Sequence, residues 1–219
     1  MTATLDWIAD HRQTSGPVLD QGSRPTCLSC AVSAAHRRSR GVGKCIEYLH
    51  HRCRLQPTGC GSIDSVHVVL TTDGQPNEST WPYDPTVDES TQHPIPPGPL
   101  PAPFHYADLV VDSAPTRDQL IRQLNDGHVP VIGLRVTPGF MNLGGGILTE
   151  PGVHTGGHAV LLVGAARYVG PDLGIVKPDD QLMCIQNSWG STWGASGYAL
   201  IGPRAWDDMV FVSAQLTPR

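Results

Sequence analysis

Charge is scarce in this chain and has no strong sign. Charged residues make up 16% of the 219, and 15 Lys and Arg stand against 20 Asp and Glu, for a formal net charge of −5. That balance excludes the basic face that would draw nucleic acid or an anionic membrane surface. Long apolar runs are missing too. A stretch such as Ala159 to Ala166 falls far short of the ~20 residues that a bilayer-spanning helix needs. Met1 to Arg12 lacks a basic segment followed by an apolar one, so no secretory signal is expected, and the cytoplasm is the expected compartment. Cysteine is moderate at six, and without a signal these read as mostly reduced thiols rather than a disulfide framework.

Glycine (24) and proline (20) are plentiful, the mark of a loop-rich globular protein. The length suffices to bury a core as one domain of two lobes. From about Thr26 to Asp73 the patterns are helical. Cys27 to Arg38 is rich in Ala and small residues and closes before Gly41. Cys45 to Leu55 places Cys45, Tyr48, Leu49 and Cys53 on one helical face. Ser62 opens a third segment with Ile63, Val66, Val69 and Leu70 on one face.

Punctuation follows. Trp81-Pro-Tyr-Asp-Pro85 is turn-forming, and six of the ten residues from Pro94 to Pro103 are proline, which predicts an extended strap. Thr116-Arg-Asp-Gln119 is a capping box for a helix reaching Gly127. Thereafter the period becomes two. Val129–Val136, Ala159–Val169, Leu182–Gln186, Tyr198–Ile201 and Val210–Val212 read as strands. Helices first and an antiparallel sheet afterwards predict an α+β protein. Its expected parts are a helical lobe over 22–80, a Pro-rich connector over 81–103 and a β lobe over 104–219.

Three segments carry chemistry. Cys27 follows the turn-like Gly22-Ser-Arg-Pro-Thr26 and starts the Ala-rich helix. Unpaired N–H groups there favour a thiolate. Gln21 lies just upstream and carries an amide NH₂, the donor type that an oxyanion needs. His158 enters the apolar strand Ala159-Val-Leu-Leu-Val163, and Asn187-Ser-Trp189-Gly190 follows a later strand.

Gln21-Gly22-x₄-Cys27, Gly157-His158-Ala159-Val160 and Asn187-Ser-Trp189-Gly190-x-x-Trp193-Gly194-x-x-Gly197-Tyr198 together resemble the papain-like (C1) cysteine peptidases. The likeness runs from about Leu5 to Ile201. It implies a two-lobe papain-like fold with the active-site cleft between the lobes. It also implies roles: Cys27 the nucleophile, Gln21 in the oxyanion hole, His158 the base and acid, Asn187 its orienting group and Trp189 the cover of the His–Asn bond. Gly61, Ser62 and Gly157 would meet substrate backbone. No metal or organic cofactor is implied. A peptide or protein substrate is, with a regulatory or inhibitor protein as a further expected partner. Only 26 residues precede Cys27, which resembles bacterial members without a pro-segment. Restraint would then come from narrow specificity, a partner protein or delivery out of the cell.

The family pattern is broken in four places. Leu28 replaces the Trp that usually follows the nucleophile. Arg24 stands where a disulfide cysteine is usual, which leaves Cys60 without its partner. Gly157 replaces a carboxylate frequent before the His, and Gly59-Cys60-Gly61-Ser62 only loosely matches a Gly-Gly segment.

Other readings of the same residues compete. Cys30 is a second candidate nucleophile, although the six-residue count from Gln21 reaches Cys27. A thioredoxin-like Cys27-x-x-Cys30 pair would need a strand before it. Cys45, His50, His51, Cys53 and Cys60 are zinc-type ligands without zinc-type spacing. His154 sits four residues before His158 in a Gly-rich loop, where a rim position is the plainer reading. Trp189 and Trp193 could serve packing alone. Peptide hydrolysis through a Cys27 thioester is the leading function. Another acyl transfer (deamidation, ligation, transglutamination) and a non-catalytic binding module are the alternatives.

Overall fold

The computed structural model describes residues 5–219. A short strand β1 (Leu5–Asp10) precedes three helices, α1 (Cys27–Arg40), α2 (Ile46–Arg54) and α3 (Ile63–Thr72). Two two-residue strands, β2 (Gln75–Pro76) and β3 (Phe104–His105), pair with one another across the Pro-rich connector. The connector itself holds no helix or strand between 81 and 103. Beyond it come β4 (Ala107–Asp112), α4 (Arg117–Asn125), β5 (Val131–Val136) and α5 (Pro138–Met141). The chain then forms β6 (Ile147–Leu148), β7 (Gly156–Tyr168), β8 (Gln181–Gln186), β9 (Tyr198–Ile201), α6 (Pro203–Met209) and β10 (Val210–Pro218).

Local chemistry sets the helix ends. Thr116 and Gln119 make both bonds of the capping box on α4. Ser62 caps α3 by accepting from the Asp64 N–H, and Cys45 caps α2 through its sulfur. Cys45 therefore lies just outside the helix that the sequence pattern begins with it. Its remaining apolar face is as expected: Leu49 and Cys53 are fully buried and Tyr48 partly so.

The large sheet runs β4-β10-β5-β7-β8-β9-β6, antiparallel except for the β6–β9 pair. The 13-residue β7 organises it. Its first half pairs with β5 and its second half with β1. Alternation sends its two faces to different cores. Ala159, Leu161 and Val163 join Val131 in the cluster with α1, α2 and α3. Val160 and Leu162 join Ile132 and Leu134 in the cluster with Trp193, Phe140 and Trp206. Each fully buried Val, Leu or Ile contributes about 1.5–3 kcal/mol, so the sheet binds both cores together. Helix α1 is buried at every residue from Leu28 to His36, as its small side chains permit. β10 extends six residues beyond the predicted Val210–Val212, because Ala214 and Leu216 alternate inward with polar neighbours.

Candidate active site

Three loops meet at the start of α1. Gln21 N–H donates to the Ser188 carbonyl (2.8 Å) and Gly190 N–H to that of Leu19 (3.0 Å). The Asp20–Trp189 bridge thus stitches the segment before Cys27 to the Asn187-Ser188-Trp189 loop. Glycine is required at position 22: φ is +61°, and a Cβ there would lie 2.1 Å from the Pro85 carbonyl oxygen. Tyr83 completes the seam, its hydroxyl donating to the Gln21 carbonyl (2.9 Å) and lying 2.6 Å from Thr26 Oγ1.

The Gln21 side chain is held at both ends. Its Oε1 accepts from Ser188 Oγ (2.7 Å) and its Nε2 donates to the Arg24 carbonyl (2.7 Å). An amide NH₂ has two hydrogens, so one donor remains. Cys27 is the first residue of α1, and its N-cap Thr26 makes no side-chain cap bond. The half-buried Cys27 sulfur lies by the backbone N–H groups of Ala159, Leu28 and Cys27 itself. Cys30 instead is fully buried, donates to Thr26 Oγ1 at 3.8 Å, and is pushed by burial to about 12.

His158 is the third residue of β7 and is 7% exposed. Its Nε2 lies 2.7 Å from Asn187 Oδ1, which also accepts from Ser188 N–H (2.8 Å). With a carbonyl oxygen as partner, Nε2 carries the hydrogen and Nδ1 keeps its lone pair. The Trp189 ring lies over the imidazole at 4.5 Å between centroids, tilted by 32°. Phe140, carried in by α5, contacts both His158 and Trp189 edge-on. Both partners of the His158–Asn187 bond are buried beneath these rings.

Burial pushes the Cys27 thiol up, against the three N–H groups that favour thiolate. Burial also pulls the His158 imidazole down to about 4, with the Asn187 bond opposing. Neither charge is favourable alone. A thiolate beside an imidazolium would offset both costs, each ion sustaining the other.

Cys27 and His158 open onto one cavity of about 510 Å³, whose walls include Gly61, Gly157 and Cys60. Ser62 is not among its walls; its hydroxyl is occupied by the α3 cap. His154 pairs with Asp208 (2.8 Å) near the surface. Cys45 and Cys53 belong to the α2 cap and the core.

Sequence reasoning did not single out Ser188, Tyr83 or Phe140 for roles at the site. Ser188 lies inside the Asn-Ser-Trp-Gly block and was legible there; Phe140 carries no local signal. Arg24 acquires a full explanation. Its side chain is wholly buried, bonded to both carboxylate oxygens of Glu47, to Glu89 (2.8 Å) and to the Asp84 carbonyl (2.9 Å). It also lies over the Tyr83 ring at 4.5 Å. An ion cluster therefore fastens the connector where the resemblance implies a disulfide.

The sequence profile of the family described as "Papain family cysteine protease" matches residues 1–209. The chain belongs to the papain family. A curated relative, the probable cysteine protease RDL6 of Arabidopsis thaliana, is 26% identical over 220 residues. That match covers 90% of this chain and 54% of the relative, so the chain spans about half the relative's length. Among solved structures, proCathepsin B S9 from Trypanosoma congolense superposes with a TM-score of 0.72 at 17% identity, covering 95% of this chain and 74% of that one. The cysteine protease CMS1MS2 of Carica candamarcensis, solved in complex with E-64, gives 0.66 at 22% identity, covering 95% and 96%. At these identities the two structures establish the papain-like α+β fold. Among the described residues, no helix is long and apolar enough to cross a membrane.

Proposed function

We propose that this papain-family chain is a cysteine peptidase that cleaves a peptide amide through a thioester on Cys27. The observation that carries the proposal is the shared cavity of Cys27 and His158, with Asn187 bonded to the imidazole behind them. The Cys27 sulfur attacks the substrate carbonyl as His158 Nδ1 holds its proton. The remaining N–H of Gln21 and the N–H groups at the head of α1 receive the oxyanion. His158 protonates the leaving amine, and a water deprotonated by the neutral imidazole then clears the thioester. Asn187 accepts one hydrogen bond throughout and adds no charge.

Gly61 and Gly157, in the cavity walls, are the proposed partners of the substrate backbone. The cavity is otherwise mainly apolar, with Leu28, Ile63, Val131 and Phe211 in its walls and Asp64 as its carboxylate among the described residues. A substrate segment with an apolar side chain beside the scissile bond fits that lining. All six cysteines are free thiols, which supports a reducing compartment such as the cytoplasm.

The test is turnover of a fluorogenic peptide library by the parent chain and by Cys27→Ala. Cleavage biased to apolar residues near the scissile bond and abolished in the variant is expected. No cleavage by the parent, or cleavage that survives in Cys27→Ala, overturns the reading.

A further inference from the structure

Cys60 is a second thiol in the cleft. It stands in the turn between α2 and α3, is half-buried, and shares the cavity wall with Cys27. The two also pack on the same apolar cluster. Each of the other four cysteines is buried. Cys30 is bonded to Thr26 and Cys45 to Trp81 and Tyr48, while Cys53 and Cys184 lie in the core.

Arg24 stands where the family resemblance implies a disulfide partner for Cys60, and Cys60 is a free thiol. Arg24 occupies the position three residues before the nucleophile, and its guanidinium is committed to Glu47 and Glu89. The turn around Cys60 is also unencumbered. Gly59 and Gly61 flank it, and a Cβ built on either would meet no atom within 4 Å. Closing a disulfide requires Cα atoms within about 7 Å, and this glycine-flanked turn is the element that would move to meet Cys27.

We infer that Cys60 is a resolving thiol for Cys27, so that the cleft carries a peroxide-operated disulfide switch. The inference rests on Cys27 being the reactive thiol of the proposed function. In the first step the Cys27 thiolate attacks a peroxide oxygen. The S–O bond forms, the O–O bond breaks, and hydroxide leaves with the electron pair. In the second step the Cys60 thiolate attacks the sulfenic sulfur. The S–S bond forms, the S–O bond breaks, and the departing hydroxide takes up the proton that Cys60 released, giving water. Hydrogen peroxide is reduced by two electrons, which the two sulfurs supply. The disulfide removes the nucleophile from use and shields it from irreversible oxidation to sulfinic acid. A dithiol reverses the change by thiol exchange.

The experiment treats the full chain, fully reduced, with a small excess of hydrogen peroxide. Peptides are mapped by mass, and turnover is followed before and after dithiothreitol, each variant being normalised to its own untreated rate. The parent should yield one cross-linked peptide joining Cys27 to Cys60, lighter by two hydrogens, and recover all lost turnover. Cys60→Ser should show no cross-link, added oxygens on Cys27 and incomplete recovery. Oxygen addition at Cys27 without cross-linking in the parent would overturn the switch. So would a cross-link to any other cysteine, or recovery of Cys60→Ser as complete as the parent's. The mass readout does not depend on turnover, so a chain that fails to cleave peptides still shows whether the cross-link forms.

Discussion

Replacing Arg24 by Ala would strand the Glu47 carboxylate in the interior and leave the buried Glu89 with His50 in place of its guanidinium. The side chains of Arg24, Glu47 and Glu89 are 0%, 3% and 7% exposed, so water cannot take the place of the guanidinium. Removing one partner of such a buried pair costs about 3–5 kcal/mol. For a domain of this size that corresponds to a fall in Tm of about 6–20 °C. Burial raises the Glu89 carboxyl, but the Arg24 bonds and His50 outweigh it and hold the group below its ordinary value. Its stabilisation is therefore present above the unfolded-state pKa and is lost as pH falls through the lower folded value. In Arg24→Ala the sign reverses. A carboxylate left without its cation is raised, and the deficit shrinks as acid protonates it. Urea unfolding at neutral pH and near pH 4 would show a large gap between parent and variant that narrows in acid. A triple variant, Arg24→Met with Glu47→Gln and Glu89→Gln, should regain most of the loss, since no charge is stranded. High salt should change the gap little because the cluster is buried. A deficit below about 1 kcal/mol, the range of a surface pair, and independent of pH would refute the reasoning.

Three further outcomes follow from the site. Gln21→Ala removes the proposed oxyanion donor and should lower kcat about 10²–10³-fold with KM nearly unchanged, read in steady-state peptide cleavage. Asn187→Ala frees the His158 ring and should cost about 10–100-fold in kcat, part of the 10²–10⁴ that general acid–base catalysis contributes; a change in KM alone would contradict its role. Gly133→Ala would set a Cβ 2.5 Å from Val212 Cγ1 and 3.2 Å from Phe211 Cζ. The displaced side chains should narrow the cavity, cost about 1–3 kcal/mol in stability, and shift a peptide library towards smaller apolar residues.

The parts of this protein that were legible in its sequence are those written locally. Cys27, His158 and Asn187 each sit in a short block whose neighbours define a helix head, a strand entry and a Trp-Gly turn. The Thr116 capping box, the α3 face and strand β9 depend on residues within one or two turns of each other and were read with little error. Features built by distant residues were not. β1 exists because β7 continues past the end of β5 and offers an edge to Leu5–Asp10. β4 is held by β10, across a hundred residues. Phe140 reaches His158 only because α5 turns inward after β5. The Arg24 anomaly was visible, but its answer lay at Glu47 and Glu89, and nothing in the local pattern tied those residues to it. Ser62 is legible locally: its hydroxyl caps α3, as the start of that segment predicts.

The central claim is that Cys27 and His158 act as one charged pair. Mass-mapped labelling with a thiol-reactive epoxide, from mildly acidic to alkaline pH, tests it in the parent and in His158→Ala. The account predicts fast labelling confined to Cys27 in the parent at mildly acidic pH. In the variant that labelling should collapse and return only in alkali, because burial holds the lone thiol above its ordinary range. Slow labelling spread over several cysteines and unchanged in His158→Ala would contradict it.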